Sequence, residues 1–230
     1  GCAVMSDSTL SHALKLARKD IIVELRRPHE LLSIIAFTLS SIIVSSFSWR
    51  TILRLDPLVI SAAMWVVIFF ASILVLTTSF AREVDRGTID GLRSIPCPPT
   101  AILAGKMIYG MITLVIVLLS LIFSSLLFLN LNTVLIPGLV IIFTIGAIDF
   151  ALMGSMMSAV LMYSEGKNLL LAFLFFPVSV PILLPGIQAT AKILAGEGVL
   201  ATIPEMRLLF AFMLAVIAAS MLLFQEIFLE

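Results

Sequence analysis

Residues 57–80 read PLVISAAMWVVIFFASILVLTTSF, a run with no ionisable side chain from Pro57 to Phe80. At about 1.5 Å per residue such a helix is long enough to cross a hydrocarbon core of about 30 Å. Pro57 opens the run, where a missing amide donor does no harm to a helix. The same test, applied outward along the chain, finds about six spans, near 31–49, 57–80, 102–129, 133–162, 168–190 and 206–228. The fold class expected is an all-α integral membrane protein with six transmembrane helices.

Composition agrees. Apolar residues make up 61% of the 230 positions and charged residues 12%, about half the charge share of a soluble domain. No polar segment is large enough for a second folded unit. Residues 1–8 are expected to be a disordered or expression-derived lead-in, 9–30 an amphipathic interfacial helix, and 31–230 the transmembrane domain. Within 9–27, Leu10, Ala13, Leu14, Ala17, Ile21 and Leu25 recur at three- and four-residue steps, with Lys15, Arg18, Lys19 and Arg26 on other faces. Such a helix suits the lipid headgroup region, and its basic side suits anionic lipid better than nucleic acid. The first apolar run lies behind a long charged stretch, unlike a cleavable signal peptide.

Lys and Arg near the span ends number ten on the side that holds both termini and four on the other. The positive-inside rule then places both termini in the cytoplasm of a multi-pass cell-membrane protein. The longest external segment is expected from about Thr190 to Pro204. Cys2 and Cys97 then both face a reducing compartment and stay unpaired thiols. The fourth span exceeds what a bilayer needs, so it should tilt, bend near Gly146 or Gly154, or extend into water.

Three features are candidates for function. The segment FAREVDRGTIDGLRSIPCPP, 80–99, is the one sizeable polar stretch between spans on the inner side. It gathers Glu83, Asp85, Arg86, Asp90 and Arg93 around Gly87 and Gly91, and is too short for a core of its own, so its charges face water or another protein. Asp149 is the one ionisable residue deep inside a predicted span. It should face the bundle interior or a wet cavity, either lining a substrate or proton path or fixing helix packing. Pro177, Pro181 and Pro185 fall on nearly one helix face and Gly186 follows; each removes a backbone donor, so a bent or re-entrant element is expected, with a gate as the sharper reading.

Absences restrict the chemistry. Gly105-Lys106 and Gly166-Lys167 lack the rest of a phosphate-binding loop, so the chain should not hydrolyse ATP itself. Neither a zinc-helix motif nor a histidine inside the apolar spans is present; His12 and His29 lie outside them. Trp49 and Trp65 read as isolated interfacial or packing aromatics. No catalytic residue, metal site or directly bound cofactor is expected.

The chain resembles the haem exporter protein B (CcmB) family, the permease of the cytochrome c maturation ABC transporter. One matching stretch is Asp85-Arg86-Gly87-Thr88-Ile89-Asp90-Gly91-Leu92, then Pro96-Cys97-Pro98 and Lys106. The other runs from Pro177 through Pro181, Pro185 and Gly186 to Ala189. Arg86, Gly91 and Pro185 depart from the family pattern. The resemblance implies an ABC-2-type exporter fold, two permease subunits and two cytoplasmic ATPase subunits. It also implies haem as the handled substrate and a haem-handling membrane protein as a further partner. The 80–99 segment would be the coupling element, the N-terminal helix a connecting helix, and Pro177, Pro181, Pro185 and Gly186 part of an external gate. The alternatives are a proton-coupled secondary transporter using Asp149, an ABC-2-type permease for a lipid, drug or polysaccharide, and a non-transporting scaffold.

Overall fold

The computed structural model describes residues 2–25, 29–49, 56–77, 99–129, 133–161 and 167–227. Seven α-helices account for nearly all of them: α1 (Cys2–Leu25), α2 (His29–Trp49), α3 (Pro57–Thr77), α4 (Pro99–Leu129), α5 (Ile136–Leu161), α6 (Lys167–Leu194) and α7 (Ile203–Ile227). Short 3-10 turns at Thr133–Leu135 and Val199–Thr202 lead into α5 and α7. Helices α2 to α7 are each long and apolar enough to cross a membrane, giving an all-α integral membrane protein with six candidate spans.

Proline and aspartate set where the helices begin. Pro57 and Pro99 are the first residues of α3 and α4, and Pro137 and Pro204 fall in the first turns of α5 and α7. Those positions have no intrahelical acceptor for an amide, so the missing N–H costs nothing. Asp56 caps α3, its Oδ1 accepting from the Leu58 amide at 2.9 Å. Helix α6 ends in a Schellman turn: the Glu197 amide donates to the Lys192 carbonyl and the Gly196 amide to the Ile193 carbonyl, with Gly196 at φ 86°. The loop after α6 therefore spans only 195–202, narrower than the 190–204 expected.

Serine and threonine are made compatible with lipid by their own helices. Thr38, Ser40, Ser41 and Ser45 of α2, and Ser72 of α3, each donate their hydroxyl to the carbonyl four residues back.

Helix α5 is the central element, packed on α3, α4, α6 and α7. Glycine lets its neighbours approach. A Cβ on Gly154 would stand 2.9 Å from Leu76 Cγ, and one on Gly110 of α4 would stand 3.1 Å from Leu76 Cδ2. The outward faces are apolar, with Phe47, Phe123, Leu127 and Leu222 exposed. For a membrane-spanning helix this is the face that meets lipid.

Three expectations are corrected. Helix α1 starts at Cys2, not residue 9; residues 2–8 contain no proline or glycine to stop it. Helix α2 starts at His29, so the boundary expected at 30/31 falls inside a helix. Helix α6 runs unbroken through Pro177, Pro181 and Pro185 and is not re-entrant. Each ring removes a single amide donor, and the bonds of the other residues in each turn continue and hold the helix.

Candidate functional site

The expected coupling residues Glu83, Asp85, Arg86, Gly87, Asp90, Gly91 and Arg93 lie outside the described residues. What the structure places are the elements on either side of that segment, the end of α3 and the start of α4. Lys106, on the second turn of α4, is 5% exposed, and its Nζ lies 2.9 Å from Asp20 Oδ2 of α1. Asp20 Oδ1 also lies 3.3 Å from Lys19 Nζ. Beside the pair the two backbones nearly touch: a Cβ on Gly105 would be 2.9 Å from Leu16 Cβ and 3.0 Å from the Ala13 carbonyl oxygen. The buried face of α1 is thus Ala13 and Ala17, whereas Leu14, expected on the apolar side, is 51% exposed.

Asp149 sits midway along α5 and is fully buried, with no hydrogen-bond partner on either carboxylate oxygen among the described residues. At about 100° per residue it shares a flank of α5 with Ile142, Ile145 and Met153, about 60° from Gly146 and about 120° from Ser155. Gly146 faces Trp65 of α3 and Ser155 faces Gly110 of α4. An apolar hollow of about 230 Å³ between α4 and α5 is lined by Met107, Met111, Ile148, Ala151 and Leu152, and Asp149 does not line it.

Pro177 and Pro181 face outward and Pro185 and Gly186 inward. The drift arises because a step of four turns the helix by about 400°, carrying each ring about 40° past the last. Each proline leaves the carbonyl four residues before it without its helical donor, which frees those of Phe173, Pro177 and Pro181. Phe173 and Phe176, on the same outer side, are 79% and 60% exposed.

Gly186 serves the core. Trp65 is fully buried, with its ring against Gly186 of α6 and Gly146 of α5. Its Nε1–H donates to Thr190 Oγ1 at 2.9 Å. Phe143 meets it edge-on at 5.8 Å, and Phe150 stacks on Phe175 at 5.8 Å. The packing role expected of Trp65 is what the structure has. Its partnership with Gly146, Gly186 and Thr190 had no local signal, because the three partners lie on two other helices.

At the far end of α6, Lys192 Nζ donates to Glu205 Oε1 at 2.7 Å and to the Ala201 carbonyl at 3.1 Å. This pair ties the end of α6 to the start of α7 across the 195–202 loop. In the sequence Lys192 is only one more charge near a span end; the acid it meets is thirteen positions on.

Six packed helices of this length and apolarity define a multi-pass α-helical membrane protein. Residues 11–225 match the family model described as CcmB protein. The chain therefore belongs to the CcmB family, the haem exporter protein B permeases, which are transport proteins and not enzymes. Against curated proteins the chain has no significant match.

Proposed function

We propose that this chain is the membrane permease subunit of an ABC exporter, driven by a separate cytoplasmic ATPase and serving haem export in cytochrome c maturation. The observation that carries the reading is the family match across residues 11–225, which takes in the 80–99 segment and the proline-bearing α6 together. The permease works as a homodimer in the cell membrane, with both termini cytoplasmic, and haem is its handled substrate, passed to or from a haem-handling membrane protein. Support for pairing comes from α6. Freed carbonyls on an outward face are unfavourable against lipid, and protein or a water-filled path would satisfy them. The charged 80–99 segment takes up the ATPase's motion, and Pro177, Pro181, Pro185 and Gly186 belong to the external gate.

The test is gentle affinity purification from native membranes with Asp85 and Asp90 either native or both changed to Lys. An ATPase subunit should accompany the native chain and be lost from the charge-reversed one, with membrane insertion unchanged. Absence of any ATPase, under conditions that preserve known transporter complexes, would overturn the reading. It would bring forward a proton-coupled transporter, which the unpartnered Asp149 favours.

A further inference from the structure

Helix α4 begins at the last residue of the 80–99 segment, and its first turns carry a feature the exporter reading leaves unused. Lys106 is more than nine-tenths buried, beside a seam of Ala13, Ala17 and Gly105. Small-residue seams permit close approach but carry little direction of their own. A buried ion pair does carry direction, because a slip leaves a charge desolvated without its partner, and fixing register is the best-attested use of such pairs. Among the described elements α1 packs on α4 far more than on any other. It is joined by chain to α2 yet attached by contact to α4.

We propose that Asp20 and Lys106 are positioning residues that lock α1 to the start of α4, so that the two move as one rigid lever. Displacement of the segment preceding α4 then reaches α1 in full, and the N-terminal helix reports or reinforces the ATPase stroke. This rests on the exporter reading for its consequence, but the joint itself can be measured on the chain alone.

Two measurements test it. In lipid bilayers, spin labels at Leu14 and Leu119, both exposed, should give one narrow distance in the native protein. Lys106→Gln should give a broad one, and the charge swap Asp20→Lys with Lys106→Asp should narrow it again. An unchanged distribution in Lys106→Gln would overturn the lock. In the permease–ATPase complex, Asp20→Asn and Lys106→Gln should keep ATPase binding and ATP hydrolysis, while haem released per ATP falls at least about five-fold, the lower end of typical coupling between sites. The swap should recover most of that loss. An unchanged ratio, or a native Leu14–Leu119 distance that shifts on ATP binding, would refute the lever. Failure to find any ATPase would defeat the exporter reading and leave the distance result standing by itself.

Discussion

Replacing Gly186 with alanine should destabilise the bundle at its centre, and the size of the effect follows from Trp65. A Cβ at position 186 would stand 2.6 Å from both Cε2 and Cη2 of that ring. The ring has little room to move: Gly146 is also packed against it, where an added Cβ would be 2.8 Å from Cζ3, and Thr190 holds its Nε1. Overpacking a core typically costs about 1–3 kcal/mol, and a rigid ring pinned on two sides places this case at the upper end. If the ring shifts, the Thr190 bond is lost for about 1 kcal/mol more. Trp65→Ala should cost about 3 kcal/mol, the lower end of the usual range, because the alternative surroundings in a bilayer are as apolar as the core. The two changes should not add. With the ring gone, the Gly186→Ala methyl enters a cavity, so its cost should fall below about 1 kcal/mol, a coupling of at least about 2 kcal/mol. Unfolding of the reconstituted chain by sodium dodecyl sulfate, followed for the native protein, both single variants and the double variant, measures that coupling. Additivity to within about 0.5 kcal/mol would refute the Trp65 wedge.

Asp149→Asn should leave insertion and ATPase association intact and change haem-stimulated ATP turnover if the carboxyl takes part in the cycle; normal turnover in the reconstituted complex would assign it to packing alone. Glu205→Ala should destabilise the α6–α7 junction by about 1.5–3 kcal/mol, the range for hydrogen bonds to charged groups, with Lys192 left to the Ala201 carbonyl. Faster hydrogen exchange confined to the amides of 193–204 is the expected signature, and uniform exchange along α6 and α7 would count against a local clasp.

Much of this molecule was legible in its sequence. Apolar run length determined the number of spans, because in lipid every backbone polar group must be satisfied within its own helix and charge is expelled to the ends. The first-turn proline at 57 marks a helix start by local chemistry alone. Asp149 stood out because an acid amid apolar neighbours is costly wherever the helix turns it.

What the tertiary structure decided are the relations between helices. An apolar surface carries no address, and in a bilayer burial itself gives little reason to prefer one neighbour to another. Shape and a few directional bonds choose, and these join residues far apart in the chain: Trp65 to Gly146, Gly186 and Thr190, Asp20 to Lys106, Lys192 to Glu205. The three prolines make the same point. Their spacing was plain in the sequence, but only the tertiary structure shows that the helix persists through them, with Pro177 and Pro181 turned outward and Pro185 turned into the core.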